Sequence, residues 1–335
     1  MQTVERRGLG GIWARRIVAI PGILLICAMA VVLLPVTLAA ALVADAFRRK
    51  RMATTRMLLM STFFLLVEAA GILMAGAAWV ASGFGLARGP YAAWNDWLQI
   101  WWGNALHQAI VRLLDVQVQV GGASICSPGP IIVFIRHSSV ADTVTPSALI
   151  SRALGMRLRF VVKRELLWDP CMNLVGTRRP NCFVERGAGG EAAWVARLAD
   201  GLGERDGILI YPEGMVLTPA KARATAAEPG AKKDRGYKDV HAPRLGGPLA
   251  LLERAKGVDV VFVGHVGYEV APGVRQLLRG DLIGARVQMS FWRVPGSEVP
   301  ETREGRARWL RERWHEMDDW VGAHQRSMGV EEAVR

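Results

Sequence analysis

Two apolar stretches near the start of the chain limit what it can fold into more than any other feature. Residues 17–44 contain no charged side chain, and residues 57–87 contain only Glu68. Each exceeds the roughly 20 apolar residues that a helix needs to cross a bilayer. A cleavable secretory signal has an apolar part of only about 7–15 residues, so the first stretch is too long for one. The expectation is two membrane helices over residues 17–87, joined by a basic turn. Pro21 and Pro35 in the first are tolerable where neighbouring groups satisfy the freed carbonyls. Glu68 is costly in the second, and is expected to snorkel or to pair with an adjacent helix.

Charge follows the same division. Of a formal net charge of +12, residues 1–56 carry +7, through Arg6, Arg7, Arg15, Arg16, the run Arg48-Arg49-Lys50-Arg51 and Arg56, against Glu5 and Asp45. Basic clusters beside membrane helices meet anionic lipid headgroups or serve as ordinary cytoplasmic flanks, so membrane lipid, not nucleic acid, is the expected partner. Two spans would place residues 1–16 and the rest of the protein on one side and the basic turn on the other. The positive-inside rule would instead keep that turn in the cytoplasm. Cys27, Cys126, Cys171 and Cys182 show no metal-like spacing, which predicts no metal site and fits a reducing compartment.

Residues 88–118 read as a separate helical segment. Trp94, Trp97, Trp101 and Trp102 recur with Leu98, Leu106, Ile110, Leu113 and Leu114 at helical spacing. This helix either lies at headgroup depth with its rings in the interface or packs on a core, and the pattern leaves both open. Residues 119–326 alternate in α/β fashion and 327–335 form a tail. Strands are predicted at Val116–Val120, Ile131–Ile135, Leu158–Val162, Cys182–Val184, Ile208–Tyr211, Val258–Val266 and Val287–Trp292. Helices are predicted at 143–155, 165–175, 190–204, 244–256 and 302–326. The fold class is α/β, a mixed, largely parallel sheet flanked by helices. Residues 219–241, rich in Ala, Lys, Arg, Gly and Pro, read as a surface excursion. No Gly-rich nucleotide loop occurs in a strand–helix context.

The chemistry-bearing residues fall at strand ends. The apolar run Ile131–Ile135 leads through Arg136 to His137, with Asp142 five positions on. A turn of that length can bring the carboxylate onto one imidazole nitrogen and leave the other for substrate, the base-and-orienter pair of general-base catalysis. Lys163-Arg164-Glu165-Leu166, Phe183 to Gly187 and Tyr211-Pro212-Glu213-Gly214 close three further strands, and such ends open on one edge of an α/β sheet. A base, its orienting acid and several cationic donors suit proton abstraction beside an anionic group. Each has a plainer rival. Arg186 could pair with Glu185 at the surface, Lys163 and Arg164 could be solvated, and Pro212-Glu213-Gly214 could be only a turn. Ser138 and Ser139 could cap the next helix. The basic segment Lys221–Lys238 is either a solvated loop or a headgroup clamp.

Taken together, these blocks resemble the glycerophospholipid (lysophosphatidate, PlsC-type) acyltransferase superfamily, over about residues 130–325. The family's motifs are N-H-x4-D, a hydrophobic–acidic–Arg block and F/Y-P-E-G-T-R. KREL (163–166), the basic insert, Pro243-Arg244-Leu245-Gly246-Gly247 and VFVGHVGYE (261–269) look most like the lysophosphatidylinositol and lysocardiolipin acyltransferase branch. The resemblance implies the glycerolipid acyltransferase fold and transfer of a fatty acyl chain from acyl-CoA or acyl-carrier protein to the free hydroxyl of a lysophospholipid. It assigns the base to His137 and its orienting acid to Asp142, with no acyl-enzyme and no cofactor. It assigns acceptor binding to Lys163, Arg186, Glu213, Gly214 and, as a replacement for a missing arginine, Arg244, Arg178 or Arg179. Three departures stand out: Arg136 replaces the motif-one Asn, Met215-Val216 replaces the Thr-Arg of motif three, and the fourth block lacks its proline. A CoA-independent phospholipid transacylase and a non-catalytic membrane scaffold are the alternative readings. Acyl thioesters are cytoplasmic, so a multi-pass protein of a bacterial inner membrane with its catalytic domain in the cytoplasm is expected. Headgroup, acyl length and oligomeric state stay open.

Overall fold

The computed structural model describes residues 9–48, 51–185, 187, 189–214 and 236–328. The helices are α1 (Leu9–Arg48), α2 (Ala53–Ala81), α3 (Arg88–Leu113), α4 (Pro170–Leu174), α5 (Glu191–Ala196), α6 (Gly246–Arg254), α7 (Val274–Leu278) and α8 (Arg303–Met328). The strands are β1 (Gln117–Gly121), β2 (Ile131–Ile135), β3 (Arg157–Lys163), β4 (Cys182–Val184), β5 (Asp206–Ile210), β6 (Asp259–Val266) and β7 (Arg286–Val294). They form one sheet in the order β1-β7-β6-β2-β5-β3-β4. Strands β2 to β6 are parallel, while β7 runs antiparallel to β6 and carries β1 parallel to itself.

The unbroken apolar run of β2 explains its central position. Strands covered on both faces lose the polar–apolar alternation of half-exposed ones, and Ile131 to Ile135 are all buried. Ile131, Val133 and Ile135 enter one core with Leu106 and Ile110 of α3 and Met57 and Val67 of α2. Ile132 and Phe134 enter the other, with Leu251 of α6 and Trp309, Trp314 and Met317 of α8. The carboxyl ends of β2, β3, β4, β5 and β6 therefore open on one edge.

All seven predicted strands are present, and three predicted helices are shorter or broken. The 143–155 segment is a 3-10 turn over Ala141–Val144 followed by a π-helical Ser147–Arg152, with Pro146 between them. The 165–175 segment splits because Pro170, which cannot donate a backbone hydrogen bond, starts α4 behind the Asp169 cap. The 190–204 segment leaves helical structure after Ala199. Most of the basic excursion lies outside the described residues. Its end is not a loose surface: Tyr237 stacks on His315, and the Asp318 carboxylate accepts the backbone N–H groups of Lys238, Asp239 and Val240.

α1 and α2 are long and apolar enough to cross a membrane. They also lie along the sheet domain instead of projecting from it. Near the start of α1, Arg16 donates to the Asn173 side chain at 2.8 Å and to Thr177 at 3.1 Å, and Arg15 sits over the Trp168 ring. At the far end, Arg56 donates to the Leu113 carbonyl at 2.8 Å and Arg51 reaches the Ile283 carbonyl. The turn is closed by Asp45, which accepts the Thr54 and Thr55 N–H groups. Arg16 and Arg56 are thus spent on protein carbonyls and amides.

The Trp-rich helix packs on the core along one side. Leu98, Leu106 and Ile110 of α3 are buried, whereas Trp94 and Trp97 are exposed. Trp102 donates to the Glu68 carboxylate at 2.6 Å, and the Cys171 N–H donates to its other oxygen. Glu68 is therefore the helix-paired residue anticipated above.

Candidate active site

His137 leaves the end of β2 on an irregular loop that turns straight back. Its Nδ1 lies 2.9 Å from Asp142 Oδ1. Asp142 Oδ2 accepts the N–H groups of Ser138 and Ser139, each at 2.8 Å. The carboxylate thus satisfies the loop backbone and orients the histidine at once. Burial alone would raise the Asp142 pKa, but His137, its hydrogen bond, His265 and the Ser139 N–H hold it below the usual range. An ionised carboxylate only accepts, so the His137 proton sits on Nδ1 and the lone pair on Nε2. The Ser139 hydroxyl donates to the Ala271 carbonyl, tying the loop to the segment after β6. Ser138 and Ser139 therefore serve the carboxylate rather than a helix cap.

A cavity of about 550 Å³ opens beside the imidazole, within the range of ligand pockets. Tyr211 and His137 both line it, their rings 4.4 Å apart. Burial and the nearby Asp142 charge push the Tyr211 phenol well above its ordinary pKa, so it stays neutral. Lys163 and Arg244 are the lysine and arginine that line the cavity among the described residues. From there the cavity follows β3 inward past Val162 and Phe160 to Leu98, Trp102, Met172 and Val175. Phe160 is three residues below Lys163, or about 10 Å at 3.3 Å per residue. The lining is largely apolar, with Lys163 and Arg244 as its cations and Gln99, Asn181, Asp169 and Glu191 among its other polar side chains.

Two family models match the segments that build this site: Acyltransferase over residues 117–246, and Acyltransferase C-terminus over 276–330. This chain carries an Acyltransferase domain. The mouse 1-acyl-sn-glycerol-3-phosphate acyltransferase epsilon is 25% identical to this acyltransferase over 280 residues, 78% of this chain and 76% of the relative. The solved lysophosphatidate acyltransferase PlsC from Thermotoga maritima shares the fold with a TM-score of 0.54 at 18% identity, covering 82% of this chain and 98% of that one.

The acyltransferase brings some predicted site residues together and separates others. His137, Lys163, Gly214 and Arg244 all line the cavity, and Asp142 stands directly behind His137. Gly214 takes a φ of +68°, a left-handed conformation that glycine adopts without strain. Glu213 is buried and does not line the cavity, although Pro212 and Gly214 on either side do. Arg186 lies outside the described residues, as do positions 221–235 of the basic insert. Arg178 stacks over Tyr91 and Arg179 pairs with Asp96, so neither lines the cavity. Arg164 pairs with Glu185.

Arg136, at the position of the family's Asn, does not line the cavity. Its guanidinium is fully buried, donating to the His265 carbonyl at 2.6 Å and the Asp239 carbonyl at 3.2 Å, with Glu269 at 3.4 Å. It joins β2, β6 and the segment leading to α6. Sequence reasoning missed Tyr211 as a neighbour of the imidazole, His265 as a neighbour of Asp142, and the apolar wall formed by α3. Only Tyr211 carried a signal, its place two residues before a motif acid.

Proposed function

We propose that this protein is a membrane-bound lysophospholipid O-acyltransferase using acyl-CoA or acyl-carrier protein, with 1-acyl-glycerol-3-phosphate or a related lysolipid as acceptor. The observation that carries the reading is the His137–Asp142 pair at 2.9 Å beside a largely apolar cavity that Lys163 and Arg244 also line. Nε2 of His137 takes the proton of the acceptor hydroxyl as its oxygen bonds to the thioester carbonyl carbon. The tetrahedral intermediate then collapses, the C–S bond breaks, and the imidazolium returns the proton to the departing thiolate. Asp142 keeps the tautomer and stabilises the imidazolium. General-base assistance of this kind is typically worth about 10²–10⁴-fold. No acyl-enzyme and no cofactor are needed.

Lys163 and Arg244 are our assignment for the acceptor phosphate, with Arg244 in place of the missing motif-three arginine. The KREL segment, the basic insert and the strand leading to Tyr268 support the lysophosphatidylinositol and lysocardiolipin branch. Exposed Trp13, Ile17, Val32 and Val36 on α1 and Trp94 and Trp97 on α3 support membrane attachment. The contacts at both ends of α1 support a hairpin embedded alongside the domain, its turn on the domain's own side. We place the domain on the cytoplasmic face of a bacterial inner membrane. The test is labelled acyl-CoA with a panel of lysolipids, in membranes carrying wild type or His137→Ala. Acylation that requires His137 supports the reading, and equal acylation in both membranes defeats it.

A further inference from the structure

Asp142 has a second histidine. His265, near the end of β6, is completely buried, and its Nε2 lies 2.8 Å from the Arg136 carbonyl and 3.5 Å from Asp142 Oδ2. A carbonyl can only accept, so Nε2 carries the proton. The same Nε2 stands 3.5 Å from Oδ2, the carboxylate oxygen that His137 does not use and that also accepts the Ser138 and Ser139 N–H groups. Tyr268 meets the ring edge-on at 5.5 Å, and Arg136 binds the His265 backbone carbonyl. Glu269, which balances Arg136, is in turn bound by Gln325 of α8 at 2.7 Å.

We propose that His265 is a positioning residue for acyl transfer, fixing Asp142 through Oδ2 so that Oδ1 stays on the His137 imidazole. This rests on the assignment of His137 as the base. The charged and titratable groups around the carboxylate are His137 and Arg136 from the β2 end, Tyr211 from the β5 end, and His265, Tyr268 and Glu269 from the β6 end. Among these, His137 is hydrogen-bonded to Asp142 and His265 Nε2 stands 3.5 Å from Oδ2. Burial lowers the His265 pKa, so it acts as a neutral donor. Removing that donor leaves Asp142 more basic and favours the imidazolium of His137. The base is then protonated, and idle, to a higher pH.

The experiment is the pH profile of kcat/KM for the full-length enzyme in anionic phospholipid vesicles, with acyl-CoA and lysophosphatidate. Wild type, His265→Leu and His265→Gln are compared. Glutamine can place an amide N–H close to where Nε2 stands; leucine cannot. The acidic limb of His265→Leu is expected to move up by roughly half to one pH unit. Its activity should be about 3–10-fold low on that limb and recover at alkaline pH. His265→Gln should restore the limb. The same fold loss at every pH, an unmoved limb, or a glutamine variant displaced as far as leucine would overturn the proposal. Should leucine prevent folding, His265→Asn takes its place, its amide one methylene too short to reach Oδ2. An active His137→Ala enzyme in the same assay would instead sink the base assignment itself.

Discussion

His137 and Asp142 meet at 2.9 Å across a loop whose own backbone N–H groups, at Ser138 and Ser139, close on the same carboxylate. The hydrogen bonds that shape the loop are therefore those that orient the base. Replacing Asp142 by Asn keeps an oxygen for the two N–H groups but cannot enforce the Nδ1–H tautomer. Asp142→Asn should lose about 10²–10⁴-fold in kcat. Its thermal midpoint should stay close to that of His137→Ala. A variant within threefold of wild type would remove Asp142 from the mechanism.

Arg244 shares the cavity mouth with Lys163, while Arg178 is stacked on Tyr91. A charge-assisted contact to phosphate contributes about 1.5–3 kcal/mol. Arg244→Ala should therefore raise the acceptor KM by about tenfold or more and leave that for acyl-CoA near wild type. Arg178→Ala should leave acceptor KM unchanged. Initial rates against both substrates check this, and the reverse ranking would return the phosphate to Arg178.

Arg136 is a structural cation in a place where the family has a polar neutral residue. Arg136→Met removes the partner of the Glu269 carboxylate and leaves the carbonyls of His265 and Asp239 short of a donor. Breaking a buried ion pair from one side costs about 3–5 kcal/mol. The lower end is expected here, since Gln325 and the Gly267 N–H still bind Glu269. Denaturant unfolding should show that loss, with the acceptor KM of the folded fraction intact.

Asp169 links stability to pH. Burial first, and then the neighbouring Glu68, push its pKa up to about 8 in the folded protein, against about 3.9 in the unfolded chain. The folded state holds the extra proton between those values. The stabilisation is complete below the unfolded pKa and is lost as pH rises through the folded one. Thermal midpoints should fall between about pH 5 and 8, and Asp169→Asn, which can still cap α4, should flatten the slope. An identical slope in the variant would show that other groups carry it.

The basic turn reports topology. Arg51 and Arg56 bind the catalytic domain at Ile283 and Leu113, so a cysteine at Met52 should be shielded from an impermeant thiol reagent in intact cells and react once the membrane is opened. Labelling from outside would restore a two-span layout.

Much of the sheet was legible because covered strands are continuous apolar runs, as Ile131–Ile135 shows. The helices between strands were less so. Pro146 and Pro170 broke two of them, yet spacing alone could not say whether proline would start a helix or interrupt one. His137 and Asp142 were readable from a five-residue separation, since a turn that short confines the carboxylate to the imidazole's neighbourhood. Arg178, Arg179 and Arg244 were not separable in the sequence, because each is only a cation near a strand end. Tyr91 and Asp96 of α3 decided the first two, and α3 lies some eighty residues away in the chain.

The order of apolar and polar residues along the chain determined by itself the two long N-terminal helices, the seven strands and the base with its acid. These are local properties, set by periodicity and by short spacings. That Arg136 is buried on the His265 and Asp239 carbonyls, that His265 stands beside Asp142, and that Arg16, Arg51 and Arg56 bind the domain were decided only by the tertiary structure. Each depends on contacts between distant segments, where packing and the need to satisfy buried polar groups choose among partners the local pattern leaves equivalent.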